Sequence, residues 1–317
     1  MRKILCIGSA SVDIKAFSQQ EDVQNAYREG TIDLVPGGVA RCMAINLCRL
    51  GFSTALYSVV GRDIFGEYIR RGLLEADVNI ELLRTSETHK TALFSVMGAQ
   101  GSSSSCVYSN EILREIAFDG ALADFIRHKG IDAFVLDSNI PTETLADIYR
   151  IKETARSTGK GTRSVDAPFI FQNATSPDIA KKTLRWAPLI DLFGANEFEA
   201  AAILGNRPSP DAETADRFRA LGFRNFIVTF GSEGVLVAIG DQTWTEKPYK
   251  PTAVVDTIGA GDAFASGFLY GFLSGKPEKK CIGFGLACAR ETLATRDTVS
   301  DGLSAEFLVT SRYRGGL

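Results

Sequence analysis

The sequence predicts an α/β protein with a doubly wound, mostly parallel β-sheet and a small accessory β-sheet. The first observation is that short apolar, strand-like segments alternate with segments of helical periodicity through most of the 317 residues. This alternation is typical of parallel strands joined by helices that lie on both faces of the sheet. The second observation is that residues 12–36 and 88–110 interrupt it with extended chain between polar turns.

The alternation begins near the N-terminus. Residues 4–7 are a short apolar run that ends at Gly8, as a buried strand would. Residues 40–50 have strong helical character. We expect this helix to end at Gly51, because glycine commonly follows the last turn of a helix. Three further segments continue the pattern as a strand, a helix and a β-branched apolar run: 54–60, 66–76 and 91–97.

The second half of the chain repeats the pattern more regularly. The buried strands predicted there are 133–136, 162–165, 189–193, 226–230 and 235–239. The helices predicted there are 142–157, 179–187, 197–204 and 212–221. Since ligands of such sheets bind outside the carboxyl ends of the strands, we expect the functional site at that edge.

Residues 12–36 and 88–110 form the accessory unit in this prediction. Two β-excursions from the first half of an α/β core could pair into a small sheet that covers a site as a lid. The alternative is that both are ordinary surface hairpins. We treat residues 1–317 as one α/β domain that carries this lid.

Composition and charge restrict the classes of partner. The chain is 45% hydrophobic and 23% charged, close to ordinary globular usage, and its net charge is −3. Without a run of lysines and arginines it has no nucleic-acid footprint, although local basic groups could still bind a small anionic substrate. No apolar stretch approaches the roughly 18 residues of a membrane span.

The N-terminus and the cysteines predict a cytoplasmic protein. The first apolar run is too short for the core of a signal peptide, and no small-residue cleavage site follows it. The six cysteines have no Cys-x-x-Cys spacing, and the two histidines have no cysteine or carboxylate cluster beside them. A zinc site is therefore not expected, and buried thiols in a reducing compartment explain the cysteines.

Residues 256–262, Asp-Thr-Ile-Gly-Ala-Gly-Asp, are the strongest chemical signal in the sequence. Small and aromatic residues follow at helical spacing and place a helix start near Ala260. A glycine turn at a helix N-terminus points backbone N–H groups outward and makes an anion site. Asp262 would repel a bound phosphate there unless it takes the proton of an attacking hydroxyl group. The alternative is an acid that complements the helix dipole.

Three further segments carry weaker signals. Gly37 and Gly38 precede the first helix, where they either let the backbone approach a ligand or make a tight turn. Asn196 and Glu199 lie at a helix start, as a capping pair or as groups that hold Mg²⁺ through water. Residues 229–234, Thr-Phe-Gly-Ser-Glu-Gly, lie between two apolar strands and would admit a nucleotide or form a plain hairpin.

Other nucleotide-binding motifs are absent from the sequence. No Gly-x-x-x-x-Gly-Lys-Ser/Thr segment of a P-loop occurs. The turn after the first strand lacks the Gly-x-Gly-x-x-Gly of dinucleotide dehydrogenases, which disfavours that class. No His-Arg-Asp catalytic loop occurs, so the chain is not a protein kinase.

The order of these segments resembles that of the PfkB, or ribokinase-like, family of sugar and nucleoside kinases. The Gly-Gly helix, the Asn-x-x-Glu pair, the Thr-x-Gly-x-x-Gly turn and the Asp-Thr-x-Gly-Ala-Gly-Asp turn follow one another between Gly8 and about Ala294. The resemblance implies a doubly wound α/β core with a small β-sheet lid. It also implies transfer of the γ-phosphoryl group of MgATP to a hydroxymethyl group of a sugar or nucleoside.

The resemblance also implies roles for individual residues. They are Asp262 as the catalytic base; Gly259, Ala260 and Gly261 as an anion hole; Asp13, Gly37, Gly38, Arg41, Cys42 and Asn139 at the substrate; Asn196, Thr229, Gly231, Gly234 and Thr257 at ATP; and Glu199 at Mg²⁺ through water. Carbonyl groups near Asp256 and Thr257 would hold a monovalent cation. A homodimer formed through the lid is a further implication of the family likeness.

Within the family, residues 37–41 and 137–140 look most like pseudouridine kinases. Arg41 suits a planar base rich in carbonyl groups, and Asn139 could read amide edges. Alternatively, Arg41 faces solvent and Asn139 is a plain loop residue. Pseudouridine kinases and ribokinases usually carry Asn four residues after the second glycine, where this chain has Cys42. Because a thiol replaces an amide poorly, we expect a different or more weakly held substrate.

Three functions follow from these observations. The first is a kinase of a nucleoside such as pseudouridine, and the second is a sugar kinase of the ribokinase, fructokinase or 2-keto-3-deoxygluconate kinase type. The third, suggested by Cys42, is a non-catalytic sugar or nucleoside sensor on a kinase scaffold. The presence of Asp262 favours a catalytic function.

Overall fold

The strands of the described residues form two β-sheets, one of nine strands and one of four. They are seen in a computed structural model that describes residues 1–18, 27, 29–99, 102–157, 167–249 and 254–310. The strands are β1 Lys3–Ile7, β2 Ser11–Ser18, β3 Gly30–Gly37, β4 Ser53–Gly61, β5 Leu83–Ser86, β6 Ala92–Ala99, β7 Ser102–Ser109, β8 Ala133–Asp137, β9 Phe169–Asn173, β10 Leu192–Asn196, β11 Asn225–Thr229, β12 Val235–Ile239 and β13 Gln242–Glu246.

Helices connect most of these strands. The α-helices are α1 Val39–Arg49, α2 Ile64–Glu75, α3 Gly120–Lys129, α4 Thr142–Ser157, α5 Glu197–Leu204, α6 Ala212–Ala220, α7 Ala260–Leu273, α8 Glu278–Leu293 and α9 Ala305–Thr310. Short 3₁₀-helices occupy Glu111–Glu115, Ala180–Leu189 and Gly231–Glu233. Among the described residues, no helix is both long and apolar enough to cross a membrane.

The large sheet has the strand order β13-β12-β11-β10-β9-β8-β1-β4-β5. Its strands pair in parallel except for the antiparallel pairs β11–β12 and β12–β13. In the centre, Cys6 of β1 lies opposite Leu56 of β4 on one side and Val135 of β8 on the other. The chain leaves β1 toward β4 and β5 and later returns at β8, which creates a switch point between β1 and β8.

Alternate residues of the central strands serve two hydrophobic cores. Leu5 and Ile7 of β1 belong to the core that includes side chains of α3, α4, α5 and α6. Ile4 and Cys6 belong to the core that includes side chains of α1, α2, α7 and α8. All four of these side chains are at most 1% exposed, so helices bury both faces of the sheet, as a parallel sheet requires.

The small sheet has the strand order β3-β2-β6-β7 and comes from the two segments that interrupt the alternation. Strand β2 pairs antiparallel with β3 and parallel with β6. On β2 the buried side chains include two charged ones, since Asp13 is 5% exposed and Lys15 is 2% exposed. The small sheet therefore buries charged groups as well as apolar ones, and these groups need partners.

The fold class predicted from the sequence is confirmed, but two segments of the second half differ from their predictions. The strand predicted at 189–193 begins at Leu192 and ends at Asn196. Leu189 instead ends the 3₁₀-helix that takes the place of the helix predicted at 179–187, and Ile190 caps it; Pro188 lies inside this helix. The side chains of Leu189 and Ile190 pack in or against the hydrophobic core. An apolar sequence pattern alone does not distinguish such burial from pairing within a strand.

Other predicted segments lie outside the described residues or were missed. The strand predicted at 162–165 is outside them, and so are 19–26, 28 and 100–101 of the predicted lid. The sequence did not predict β9, β13, α3 or α8. Helix α8 contains Gly283 and Gly285, which weaken a helical pattern. A Cβ at Gly285 would lie 2.9 Å from the Phe264 ring, so the glycine serves close packing.

We expect Gly267→Ala to destabilise the protein, because α7 and α8 pack closely at this glycine. A Cβ there would lie 2.6 Å from the Phe284 carbonyl oxygen and 2.7 Å from the Cys288 Sγ. Overpacking should outweigh the better helix propensity of alanine, with a net loss of about 1–2 kcal/mol in the free energy of unfolding. Urea denaturation measures this loss.

Gly120→Ala is the matched control, since Gly120 starts α3 and a Cβ added to it meets nothing within 4 Å. Its free energy of unfolding should stay the same or rise slightly. Equal stability of the Gly267→Ala variant and the wild type would contradict the close packing of α7 and α8.

Candidate active site

The carboxyl ends of the parallel strands, with the small sheet beside them, border two adjoining cavities of about 340 Å³ each. The strand-end cavity is lined by residues at the ends of β9, β10 and β11, including Asn173, Asn196 and Thr229. The small-sheet cavity is lined by residues from β2, β6 and β7 and by the segments that follow β1 and β8. Both cavities share five lining residues: Val39, Thr175, Ile258, Gly259 and Asp262.

Asp262 lies in the first turn of α7, on the wall that the two cavities share. Burial raises the pKa of its carboxyl group well above the ordinary value, and the charges of Glu199, Asp137 and Asp13 raise it further. The position at a helix N-terminus would by itself favour the ionised form. The neutral form is favoured overall until a cation or a hydrogen-bond donor enters the cavities.

The glycine turn before α7 has the form that the sequence predicts. Gly259 caps the helix with φ +87°, and a Cβ there would lie 2.2 Å from the Thr298 carbonyl oxygen, so only glycine fits. Gly261 lines the strand-end cavity, and a Cβ there would meet nothing within 4 Å. The Ala260 N–H donates to the Thr257 carbonyl oxygen at 3.4 Å, a long bond that leaves it partly committed.

Four residues predicted at the substrate line the small-sheet cavity: Asp13, Gly38, Cys42 and Asn139. Asp13 lies within β2, the strand that follows β1. Burial raises the pKa of Asp13 to about 6, and the nearby Lys15 charge limits that rise. Burial likewise raises the pKa of the Cys42 thiol to about 12, so this side chain is a neutral group in the cavity wall.

Two residues predicted at the substrate are not among the described residues that line this cavity. The Arg41 guanidinium is buried and donates from Nη1 to the Pro36 carbonyl oxygen at 2.8 Å. It thus braces the end of β3, and its burial excludes the solvent-facing alternative. A Cβ at Gly37 would lie 2.2 Å from Asp13 Oδ1, so Gly37 makes room for that carboxylate.

Four residues predicted at ATP and Mg²⁺ line the strand-end cavity: Asn196, Glu199, Thr229 and Thr257. Asn196 caps α5 by accepting the N–H groups of Phe198 and Glu199 at 2.9 Å. Glu199 accepts from the Asn196 N–H at 2.8 Å and from the Asn196 Nδ2 at 2.9 Å, which completes a capping box. The capping arrangement considered from the sequence is therefore present.

Gly231 and Gly234 lie at the β11–β12 hairpin and are not among the described residues that line the strand-end cavity. A Cβ at Gly234 would lie 2.3 Å from the Glu246 carbonyl oxygen, so this glycine lets the hairpin pack beside the end of β13. The plain hairpin considered from the sequence accounts for both glycines.

Asp137 is a buried carboxylate whose importance the sequence did not reveal. Its Oδ2 accepts from the Ser9 N–H at 2.7 Å and from the Ser9 Oγ at 2.6 Å, and its Oδ1 accepts from the Asn139 N–H at 2.9 Å. Burial nevertheless raises its pKa. Ser9 Oγ in turn accepts from the Val39 N–H at 3.0 Å. Asp137 thus joins the segments after β1 and β8 and the start of α1.

Lys15 is a second charged residue that sequence reasoning missed. Its Nζ lies 2.5 Å from Asp256 Oδ2 and donates to the Arg296 carbonyl oxygen at 3.0 Å. Asp256 Oδ1 accepts from the Ile258 N–H at 3.0 Å. Since Lys15 is 241 residues from Asp256 in the sequence, no local pattern could have indicated the contact.

Aromatic and strained residues complete the cavities. Phe94 and Tyr108 lie opposite each other on β6 and β7 and line the small-sheet cavity together with Asn110. Thr175 lines both cavities with φ +75°, a backbone conformation that a β-branched residue rarely adopts. Its Oγ1 accepts from the Ser138 N–H at 2.8 Å, which helps hold this conformation.

The groups at the strand-end cavity suit a metal ion held through water. Among the described residues, no cluster of three histidine, cysteine, aspartate or glutamate side chains could hold a metal directly. Burial raises the pKa of Glu199 to about 7, and its carboxyl oxygens keep acceptor capacity beyond the bonds from Asn196. A divalent cation nearby would stabilise the ionised form of this group.

Known proteins resemble this chain over nearly its whole length. The sequence model of the pfkB family of carbohydrate kinases matches residues 1–305. Cytidine kinase from Thermococcus kodakarensis is 26% identical over 297 residues, which cover 92% of this chain and 96% of that protein. Pseudouridine kinase from Escherichia coli is 25% identical over 309 residues, which cover 95% and 93% respectively.

A solved structure supports the fold over the same length. Arabidopsis thaliana ribokinase, complexed with ribose and ATP, matches with a TM-score of 0.78 and 19% identity, and the match covers 97% of both chains. The family and the fold implied by the sequence are thus confirmed. Since the family model covers nearly the whole chain and the relatives align almost end to end, the chain belongs to the pfkB family of carbohydrate kinases, phosphotransferases with an alcohol group as acceptor.

Proposed function

We propose that this protein transfers the γ-phosphoryl group of MgATP to a hydroxymethyl group of a nucleoside. The observation that supports this most is the position of Asp262 on the wall shared by two cavities at the N-terminus of α7. A carboxylate there can face an acceptor hydroxyl in one cavity and the phosphates of ATP in the other. Phosphoryl transfer requires such a meeting point, because the attacking and leaving oxygens lie roughly in line.

The proposed step moves one proton and one phosphoryl group. The ionised Asp262 takes the proton of the acceptor hydroxyl as its oxygen forms a bond to the γ-phosphorus. The bond from the γ-phosphorus to the bridging oxygen breaks, and ADP leaves with the electron pair of that bond. Backbone N–H groups of Gly259 and Gly261 would stabilise the negative charge on the transferring group.

Glu199 would hold Mg²⁺ through water beside the strand-end cavity. The support is its burial, at 5% exposure, together with its pKa, which burial raises and no neighbouring positive charge lowers. When bound, the ion would neutralise charge on the ATP phosphates. Asn196 would keep the Glu199 carboxylate in place through its two hydrogen bonds.

The small-sheet cavity favours a nucleoside over a free sugar as the acceptor. Phe94 and Tyr108 offer aromatic rings at one wall, and such rings stack on nucleobases. Asn110 and Asn139 line the same cavity, where their amide groups could read the polar edge of a base such as that of pseudouridine. Asp13 would accept hydrogen bonds from ribose hydroxyls.

An ADP-release assay with pseudouridine, uridine, cytidine, ribose, fructose and 2-keto-3-deoxygluconate tests the acceptor. We expect turnover of at least one nucleoside, with a KM lower than that for ribose because base stacking contributes about 1–3 kcal/mol. Phe94→Leu should raise the nucleoside KM, whereas Val107→Ala, at an exposed position of β7, should not. Turnover of sugars alone would favour a sugar kinase. Ligand binding without any ADP release would favour a sensor.

Asp262→Asn should remove the proton acceptor while leaving the cavities in place. We expect kcat to fall by about 10²- to 10⁴-fold, as for the loss of a general base, with little change in the affinity for MgADP. Steady-state kinetics and calorimetry measure the two effects. The control is Asp241→Asn, at an exposed turn between β12 and β13. Full activity of Asp262→Asn would rule out the proposed base.

The ligand-free protein should lose stability as the pH rises from about 4.5 to 7. In this window the folded state keeps a proton on Glu199 that the unfolded state has released, so unfolding releases protons and a higher pH favours it. Asp13 acts in the same direction up to about pH 6. Glu199→Gln should therefore flatten the decline.

Thermal denaturation from pH 4.5 to 8 measures the effect, and Glu213→Gln, at an exposed position in the first turn of α6, is the control. The absolute stability of Glu199→Gln is less informative, because the substitution also weakens the capping box. If the stability of Glu199→Gln declined with pH as steeply as that of the wild type, Glu199 would not keep its proton in the folded state.

A further inference from the structure

The small sheet is tied to the glycine turn by a buried ion pair between Lys15 and Asp256. The side chains of the two residues are 2% and 15% exposed, and the Lys15 Nζ lies 2.5 Å from Asp256 Oδ2. Asp256 is the first residue of the turn that ends at Asp262, and its other oxygen accepts from the Ile258 N–H. The ammonium group therefore acts on the segment that the proposed function places at the phosphates.

The second acceptor of the Lys15 ammonium group belongs to another segment that contacts the turn. Nζ donates to the Arg296 carbonyl oxygen at 3.0 Å. Thr298 follows two residues later, and its carbonyl oxygen lies 2.2 Å from the position that a Cβ at Gly259 would occupy. Lys15 thus bridges the two segments, 256–262 and 296–298, whose contact sets the position of the Gly259 N–H group.

This geometry disagrees with the monovalent cation expected from the sequence. That ion would be held by oxygens near Asp256, the place where the Lys15 ammonium group already lies between a carboxylate and a backbone carbonyl group. Two unit charges of the same sign at neighbouring positions in a site shielded from water would repel each other strongly. The residues present therefore do not fit an added ion at Asp256.

We propose that Lys15 is a built-in cation that replaces a bound monovalent ion and positions the phosphate-binding turn. The catalytic rate is then independent of K⁺ and NH₄⁺. Lys15 is not among the described residues that line either cavity and acts through Asp256 and Gly259, so it is a positioning residue. This inference rests on the proposed function of the turn, although its cation dependence can also be measured by nucleotide binding alone.

The test compares Lys15→Ala, which leaves space for an ion, with Lys15→Met, which fills the space without charge. Rates of ADP release and affinities for MgADP are measured with K⁺, NH₄⁺ or tetramethylammonium as the counterion. The wild type should behave alike in all three. Lys15→Met should lose about 100-fold in kcat in every salt, because small misplacements of a reacting group cost that much. Lys15→Ala should recover activity and MgADP affinity with K⁺ or NH₄⁺.

Lys152→Met is the control for loss of a buried lysine. Lys152 also contacts one carboxylate, that of Asp191, and donates to the Pro168 carbonyl oxygen at 3.1 Å. These partners precede β9 and β10 and so lie at the edge of the large sheet opposite the cavities. This variant can lose stability but should keep the wild-type kcat and gain no cation dependence.

The outcomes separate this inference from the proposed function. A wild-type rate or MgADP affinity that requires K⁺ would overturn the inference, and so would a Lys15→Met variant with wild-type kcat. If no acceptor is phosphorylated, the proposed function fails. MgADP affinities that are independent of K⁺ in the wild type and dependent on it in Lys15→Ala would still support the built-in cation.

Discussion

The site depends above all on the buried carboxylate of Asp137. The parallel order of the large sheet brings the ends of β1 and β8 together, but backbone pairing stops there and leaves N–H groups that need acceptors. Asp137 accepts from Ser9 and Asn139, and Ser9 accepts from the first N–H of α1. A single buried carboxyl group thereby fixes three segments that border the small-sheet cavity, including the backbone next to Gly38. Without this carboxyl group, the segments after β1 and β8 and the start of α1 would lose the hydrogen bonds that hold them together at the switch point.

A consequence of this design is that several acids share one poorly solvated region. The charges of Glu199, Asp137 and Asp13 all raise the pKa of Asp262, and burial raises the pKa of each of them as well. Repulsion of this kind costs stability in the free protein and is relieved when cations and hydrogen-bond donors enter. The same environment gives the ionised carboxylate of Asp262 a high affinity for a proton, which is the property that a general base needs.

The sequence was sufficient for the fold class and for the residues whose signal is local. The turn at Gly259, the cap at Asn196 and the helix after Gly38 each depend on residues a few positions apart, so their pattern is visible in the chain itself. Asp137 and Lys15 act across 128 and 241 residues, and their partners became evident only when the sheets were assembled. The contact of Arg41 was not evident in the sequence either, because its acceptor is a backbone carbonyl group that no sequence motif marks.

The small sheet contributes buried charged side chains as well as one wall of a cavity. A sheet that only covered a cavity would need no more than an apolar inner face, yet β2 buries two charged side chains, those of Asp13 and Lys15. Asp13 lines the cavity, while Lys15 bonds to both segments that set the glycine turn. Burying a lysine without an anionic partner is costly. The observed position of the small sheet, with Lys15 buried, is therefore favourable only when Asp256 lies beside the Lys15 ammonium group. The position of the small sheet and the position of the turn at residues 256–262 are thus coupled through Lys15.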